Sequence, residues 1–177
     1  MTTHSGSGQR LPYTDPKQQG AADFYFGINA TFRYIKDRFG LDGLHAYWTG
    51  LGTRYQRPVW ERWRAGGLPA VAQYWRDFFA AEPGAEVAVS ERPAEVVVEV
   101  SRCPAIAHLR AHDRQIVAEY CQHCVVMGNA CAGQAGMAVT VAGGNGRCVQ
   151  VFTLAINGAS QDPSTVASCS EPRQEVN

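Results

Sequence analysis

Five cysteines lie within 46 residues of the chain, and three histidines fall in the same stretch. The cysteines are Cys103, Cys121, Cys124, Cys131 and Cys148, and the histidines are His108, His112 and His123. In the segment YCQHC, at residues 120–124, two cysteines stand three apart with one histidine between them. Thiolates and imidazoles bind metals, exchange disulfides and attack electrophilic carbon. These residues therefore form the chemically richest part of the sequence.

Four interpretations of this cluster are open from the residues alone. Zinc would need four donors, such as Cys121 and Cys124 with two others from the same stretch, but the usual two pairs of finger ligands are absent. A thioredoxin-like pair needs its C-x-x-C at a helix N-terminus after a strand, whereas this pair is predicted within a helix. A nucleophile with a base from another element also fits, as do small buried cysteines that pack as hydrophobic side chains.

A helix predicted over about residues 114–129 decides how the cysteine pair points. Successive helical residues are about 100° apart, so Cys121 and Cys124 share a face, whereas His123 diverges from Cys121. The apolar side is marked by Ile116, Val117 and Tyr120. We expect Cys124 on that buried side and Cys121 at its margin, where a thiolate is both partly desolvated and reachable.

A basic partner for Cys121 is therefore expected to come from another element. His108 and His112 stand four residues apart, which places them on one face of a short predicted helix after Cys103. Both are candidates for proton transfer, although pairs of exposed histidines without a role are also common.

The elements that position these residues begin with a helical half. One helix is predicted to end at Gly40, a second covers about 43–65, and a third runs from about 69 to 81. All four tryptophans fall in the last two helices. Their helical spacing favours an aromatic core, and an aromatic ligand cage that includes Trp75 and Tyr47 is the alternative.

The hydrophobic period then changes to two. AEVAVS, AEVVVEVSR, GMAVTVA and GRCVQVFTLAI alternate in the manner of strands with one wet face. Asn145-Gly146 joins the last two as a hairpin turn, so the glycine run there is not a phosphate-binding loop. The predicted fold is α+β: N-terminal helices packed on an antiparallel sheet of about four strands, with two helices inserted between hairpins.

Length and composition predict a single domain. Of the 177 residues, 1–20 are predicted to be disordered, 21–156 to form one α+β domain, and 157–177 to be a flexible tail. Cys169 lies in that tail and is expected to be an exposed, uninvolved thiol.

Charge and hydropathy exclude several classes of partner. Lys+Arg and Asp+Glu both number 16, so the net charge is zero, which argues against binding of nucleic acid or an anionic membrane. No apolar run of about 18 residues and no signal-like N-terminus are present, so we expect a cytoplasmic location with reduced thiols. The valine-rich strands and excess aromatic residues leave room for a homodimer.

SRCPAIAHL at the end of a strand, EYCQHC on a helix and GNGRCVQVF on the closing hairpin occur in this order over most of the predicted domain. In this respect the chain resembles the L-2-amino-thiazoline-4-carboxylic acid hydrolase family, which is similar in its closing strands to vinyl-4-reductase-type ligand-sensing domains. The resemblance matches Cys103, Cys121 and Cys148 to the family's cysteines. Cys124 stands where many members have an acidic residue, and an arginine before the glycine turn has no counterpart here.

The resemblance implies hydrolytic opening of a C=N-containing sulfur heterocycle to a carbamoyl thiol. It makes Cys121 the preferred nucleophile and Cys103 the second, with a histidine to protonate the departing nitrogen or sulfur. The expected catalytic set is Cys121, Cys103, Cys148, His108 and His112. The expected substrate contacts are Cys124, His123, Trp75 and Tyr47. No organic cofactor is expected, and the alternative function is a non-catalytic module that holds zinc or a small ligand.

Overall fold

Two long helices, each interrupted at a glycine, make up the first half of the protein. The computed structural model describes residues 20–155 and 161–169, in which α1 spans Phe24–Gly50 and α2 spans Arg57–Ala81. Gly40 and Gly67 have positive φ angles of 70° and 66°, which glycine adopts readily and which break the helical geometry. A π-helical turn over Leu51–Tyr55 joins α1 to α2. The predicted break at Gly40 is therefore present, whereas the predicted helix over 43–65 is divided by the π-helical turn.

Four antiparallel strands follow these helices. They are β1 (Glu86–Arg92), β2 (Glu95–Arg102), β3 (Met137–Gly144) and β4 (Arg147–Leu154), in the spatial order β1-β2-β4-β3. The N-terminal helices and the antiparallel sheet confirm the α+β fold class. No helix among the described residues is long and apolar enough to cross a membrane.

The pairing of β2 with β4 decides which side chains of β4 face the helices. Val96 lies opposite Phe152, and Val100 lies opposite Cys148. Because side chains alternate between the two faces of a strand, Cys148 shares the face of Phe152. Phe152 is buried under Trp63 of α2, with their rings 5.6 Å apart. The strand therefore directs Cys148 towards the protein interior.

Between β2 and β3 the chain forms two more helices, α3 (Pro104–Ala111) and α4 (Gln122–Gln134). Helices and the inner sheet face enclose two adjoining clusters of buried side chains. The first includes Trp63, Val98 and Phe152, and the second includes Phe32, Trp48 and Leu109. Cys103 and Cys121 pack against both clusters, so the two thiols lie where the clusters meet.

The prediction of a helix from residue 114 is wrong at its N-terminal end. Residues 114–117 are irregular, because their backbone bonds to a side chain of α1 instead of continuing a helix. The Asn29 side chain accepts a hydrogen bond from the Val117 N–H at 3.1 Å and donates to the Gln115 carbonyl at 2.9 Å. A buried amide that satisfies backbone groups in this way competes with the helical ladder. The helix therefore begins only after Cys121.

Residues 161–169, which we name the strap, pack along the free edge of strand β3. The Gln161 side chain forms two hydrogen bonds of 2.7 Å with the backbone of Val141, one to its N–H and one to its carbonyl. The Ala167 N–H donates to the Gly143 carbonyl at 2.8 Å. The Cys169 N–H donates to the carbonyl of Ala118, just before α4, at 2.8 Å. The strap thus joins the β3–β4 hairpin to the start of α4.

The strap corrects the prediction of a flexible tail over 157–177. Val166 and Cys169 are each only 3% exposed, so apolar burial and backbone hydrogen bonds together hold this polar segment. The expectation that Cys169 is an exposed thiol is wrong for the same reason. The other residues of the predicted tail lie outside the described residues. So does the predicted N-terminal segment, apart from Gly20, whose N–H donates to the Ala81 carbonyl.

Substituting Gly144 with alanine should release the strap. Gly144 has a φ of 131°, and a Cβ there would lie 2.6 Å from the Ala167 carbonyl oxygen and 2.8 Å from its nitrogen. We expect alkylation of Cys169 in the native protein, followed by peptide mass spectrometry, to accelerate roughly tenfold or more as the segment opens locally. Gly136→Ala is the matched control, because Gly136 also has a positive φ but no atom would lie within 4 Å of its Cβ. Equal rates of Cys169 labelling in both variants would show that close packing of Gly144 against Ala167 does not hold the strap in place.

Candidate functional site

Cys121 is the residue immediately before the first turn of α4. This differs from the predicted mid-helix position, since the helix starts eight residues later than expected. The N-terminus of a helix carries unpaired N–H groups and a partial positive charge, which favour a nearby thiolate. The position is therefore one of those at which reactive cysteines occur. Cys121 as a residue is half-buried.

Two separate segments approach the Cys121 sulfur. The Cys169 sulfur in the strap lies 3.2 Å away, with no disulfide between them. The backbone amide groups of Asn145 and Gly146, in the turn between β3 and β4, lie close enough to the same sulfur to lower its pKa. Both turn residues have positive φ angles, 55° and 98°, which are the values of the predicted tight hairpin turn. A thiol and two amide groups thus converge on one cysteine.

Helix α3 fixes the orientation of that turn. The Cys103 N–H donates to the Gly146 carbonyl at 2.9 Å. The Arg110 guanidinium donates to the Asn145 carbonyl at 3.3 Å and, in a second short bond, to the Asn145 side-chain oxygen. With its carbonyls bonded to α3, the turn presents its N–H groups to Cys121. The sequence predicts the turn but indicates no role for Arg110. Arg110 is 35 residues from Asn145 in the chain, so no local sequence pattern links the two.

These contacts lower the pKa of the Cys121 thiol below its ordinary value. The largest cause is the hydrogen bond from the Cys169 thiol, which outweighs the opposing effect of burial, and the turn N–H groups lower the pKa further. The pKa of Cys169 moves the opposite way, because its proton bonds to Cys121 and its side chain is buried. The position of Cys121 at the N-terminus of α4 and the burial of Cys169 favour the same assignment, with Cys121 as the thiolate of the pair and Cys169 as the thiol.

The neighbouring cysteines remain protonated at neutral pH. Burial raises the pKa of each of Cys103, Cys124 and Cys148 to about 12. The negative charge of Cys121 raises all three further, which shows that the four side chains lie in one electrostatic neighbourhood. The structure thus brings together the three family-matched cysteines and Cys124, with one thiolate among them.

His123 is a neutral member of this cluster. Its Nδ1–H donates to the Tyr120 carbonyl, which assigns the tautomer and leaves Nε2 as an acceptor for the Cys124 thiol at 3.6 Å. The ring packs beside Phe32, Trp48 and Tyr120, with centroids 5.6, 6.3 and 5.2 Å away. Burial among these rings lowers the pKa of His123. No hydrogen bond joins His123 to Cys121 among the described contacts, so the two do not form a catalytic dyad.

The other two histidines of the predicted site have contacts of a different kind. His108 Nε2 lies 3.0 Å from the carboxylate of Asp23, and its ring lies 4.3 Å from that of His112. Both rings pack against Phe26 of α1. The pair does share one helical face, as its spacing predicts. Its contacts lie with α1, however, and none joins it to a thiol in the described part of the chain.

The predicted aromatic contacts are also divided between the two buried clusters. Trp75 packs in the first cluster among aromatic side chains that include Trp63 and Phe152. Tyr47 packs against Phe32 in the second cluster, with centroids 6.3 Å apart. Phe32 also contacts His123, so Tyr47 is one side chain removed from the thiol cluster. The aromatic residues therefore act mainly as packing around the cysteines.

The described residues supply no metal site. No group of three or more His, Cys, Asp or Glu side chains is arranged there to hold a metal ion. A structural zinc ion takes four such donors, and a catalytic one takes three with an open position. The sulfur of Cys124 is directed at His123, and that of Cys121 at Cys169, so these side chains do not converge on one point. The geometry therefore favours thiol chemistry over the zinc interpretation.

Cys121 does not line either of two shallow depressions on the surface of the described residues. One, of about 370 Å³, lies over β2 and the β3–β4 hairpin and includes Cys148. The other, of about 390 Å³, lies between α2 and β1 and includes Trp75. The Cys169 sulfur of the strap lies 3.2 Å from the sulfur of Cys121.

Comparisons of the chain with family models, curated proteins and solved structures found no match. The resemblance to the aminothiazoline hydrolases therefore stays a prediction from three short motifs. The reactivity of the thiol cluster is inferred from its own geometry.

Replacing Cys169 with alanine should raise the pKa of Cys121. The variant removes the S–H group that stabilises the thiolate, so ionisation of Cys121 becomes less favourable. The pH midpoint of Cys121 alkylation, followed by peptide mass spectrometry, should lie below the ordinary thiol value of about 8.5 in the unmodified protein and move up by about one pH unit or more. Midpoints report ionisation even where access to the sulfur also changes.

Cys131→Ala is the control for this titration. Cys131 lies on α4 but burial is the single cause of its raised pKa, so it takes no part in the thiolate contact. An unchanged midpoint in Cys169→Ala, or an equal shift in Cys131→Ala, would show that the strap does not stabilise the thiolate.

Proposed function

We propose that the protein is a small-molecule hydrolase that opens a C=N-containing sulfur heterocycle by nucleophilic attack from Cys121. The observation that supports this most is the thiolate of Cys121, faced by the turn N–H groups and by the Cys169 thiol. Among the six cysteines it is the one whose pKa is lowered, whereas the pKa of each of the others is raised. A thiolate that is partly exposed and stable near neutral pH is the form that attacks carbon.

The proposed reaction has two steps. The Cys121 thiolate adds to the ring carbon that carries the C=N bond, and the adduct collapses by breaking the bond from that carbon to the ring sulfur. The substrate is then attached to Cys121 as an isothiourea, and the former ring sulfur leaves as a thiol. Water adds to the same carbon, the bond to Cys121 breaks, and the product is a carbamoyl thiol with the Cys121 thiolate restored.

Cys169 is placed to supply the proton for the leaving sulfur. Its proton bonds to Cys121 while Cys121 is a thiolate, and this bond is the main cause of its raised pKa. Once Cys121 has formed a carbon–sulfur bond, its negative charge is lost and Cys169 no longer has that acceptor. The proton can then pass to the departing thiolate as general acid catalysis requires. The neutral Nε2 of His123 is the nearest described imidazole acceptor to the cluster, through Cys124.

Entry of such a substrate requires the strap to shift. Cys169 contacts the sulfur that would attack, and the strap is anchored at Val141, Gly143 and Ala118 by hydrogen bonds rather than by a covalent link. Segments that are held by a few buried side chains and hydrogen bonds, as the strap is by Val166 and Cys169, open locally at a lower free-energy cost than the core, and such segments often cover active sites. We propose that the strap acts in this way, in a reducing cytoplasm that keeps both sulfurs as thiols.

Replacing Cys121 with serine should abolish opening of 2-aminothiazoline-4-carboxylate, because a hydroxyl of ordinary pKa is not ionised near neutral pH. We expect a fall in turnover of about a thousandfold or more, measured as carbamoyl product by mass spectrometry. Cys103→Ser and Cys148→Ser should show smaller losses, and Cys131→Ser should retain activity. The rate should rise with pH along the Cys121 titration and reach its plateau below the ordinary thiol range. Full turnover in Cys121→Ser would disprove the cysteine mechanism.

A further inference from the structure

We infer that Cys121 and Cys169 form a redox pair that a hydroperoxide oxidises to a disulfide between the start of α4 and the strap. The inference uses the same Cys121 as the proposed hydrolase but does not depend on ring opening. Nothing in the sequence suggested it, because the visible C-x-x-C pairs Cys121 with Cys124. The geometry assigns a different partner.

The distance between the two sulfurs supports the pairing. They lie 3.2 Å apart, so a disulfide of about 2.05 Å needs an approach of roughly 1.1 Å. Cys169 is the last described residue of the strap, and the hydrogen bond from its N–H to Ala118 holds its backbone beside the turn that leads to Cys121.

The C-x-x-C partner is directed elsewhere. The Cys124 thiol points at Nε2 of His123, 3.6 Å away, and burial keeps it protonated. Sequence spacing alone would favour a disulfide from Cys121 to Cys124. The contact of Cys124 with His123 and that of Cys121 with Cys169 favour the longer-range pair instead.

The environments of the two sulfurs assign their roles. Cys121 is half-buried whereas Cys169 is buried, so Cys121 has the more exposed surface of the two residues, and its pKa is the one that is lowered. Cys169 is 3% exposed and carries the shared proton, which makes it a poor target for direct oxidation. Cys121 is therefore the sulfur that is oxidised first, and Cys169 is the resolving thiol.

The chemistry balances with one hydroperoxide per disulfide. The Cys121 thiolate attacks the terminal peroxide oxygen, the O–O bond breaks, and the products are a sulfenic acid and an alkoxide that takes a proton to become an alcohol or water. The Cys169 sulfur then attacks the sulfenic sulfur, the S–O bond breaks, and water leaves with the Cys169 proton. The peroxide gains two electrons and the sulfur pair loses two. A dithiol reductant reverses the change by thiol–disulfide exchange.

Formation of the disulfide between Cys121 and Cys169 would have two consequences for the site. It removes the thiolate and so stops any nucleophilic reaction at Cys121. It also tethers the strap covalently to α4, which prevents the opening that a substrate needs. Oxidation would thus hold the site in a closed, inactive state, and reduction of the disulfide by a dithiol would return it to the open, reduced state.

The test starts with the reduced full-length protein and one equivalent of hydrogen peroxide. After remaining thiols are blocked with N-ethylmaleimide, non-reducing peptide mass spectrometry should find the Cys121–Cys169 cross-link as the main disulfide, and dithiothreitol should remove it. Cys169→Ser should form no such bond and should give a dimedone adduct at Cys121, raised about tenfold over the unmodified protein. Cys131→Ser, which leaves the pair intact, should cross-link as the unmodified protein does.

Two results would overturn the inference. One is a disulfide from Cys121 to Cys124 or Cys103 as the main product in the unmodified protein. The other is no disulfide at all under peroxide, with Cys121 left as a thiol or a persistent sulfenic acid. Both results are independent of hydrolysis: a protein that cross-links Cys121 to Cys169 but opens no thiazoline ring supports this inference and contradicts only the proposed function.

Discussion

The contact between the sulfurs of Cys121 and Cys169 is the interaction on which the rest of the site depends. The two sulfurs lie 3.2 Å apart, although their residues are 48 positions apart in the chain. They form one hydrogen bond, in which one sulfur donates its proton to the other. Of the causes that lower the pKa of Cys121 it is the largest, and it outweighs burial, which raises the pKa of Cys103, Cys124 and Cys148. The contact thus distinguishes Cys121 from the neighbouring thiols.

The fold brings that contact about through backbone groups more than through side chains. Arg110 and the Cys103 N–H anchor the hairpin turn, so that the turn directs its own N–H groups at Cys121. The strap is held by bonds to Gly143 and Val141 of the same hairpin. One hairpin therefore positions both the amide groups and the Cys169 thiol. A small displacement of it would change ionisation and access together.

Local patterns in the sequence predict most of the fold, and long-range contacts explain where they fail. Valine alternation and Asn145-Gly146 suffice for the strands and their turn, because a strand's faces and a tight turn are decided by near neighbours. The start of α4 was not predictable, since it depends on Asn29 bonding to residues 115 and 117 from another helix. Cys169 was missed because the strap's polar composition resembles disorder, whereas its order comes from pairing with an existing hairpin. The sequence predicts the cluster of cysteines over residues 103–148, but Cys169, which contacts Cys121, lies outside that stretch.

The contact between the two sulfurs is tested most directly by an anomalous-scattering map of the sulfur atoms in crystals of the reduced protein. The map locates the sulfurs without reference to activity or to any assumed substrate. The peaks for Cys121 and Cys169 should lie about 3.2 Å apart, with that of Cys121 beside the Asn145–Gly146 turn. A Cys169 peak more than about 5 Å from Cys121, beyond any hydrogen bond, would contradict this prediction.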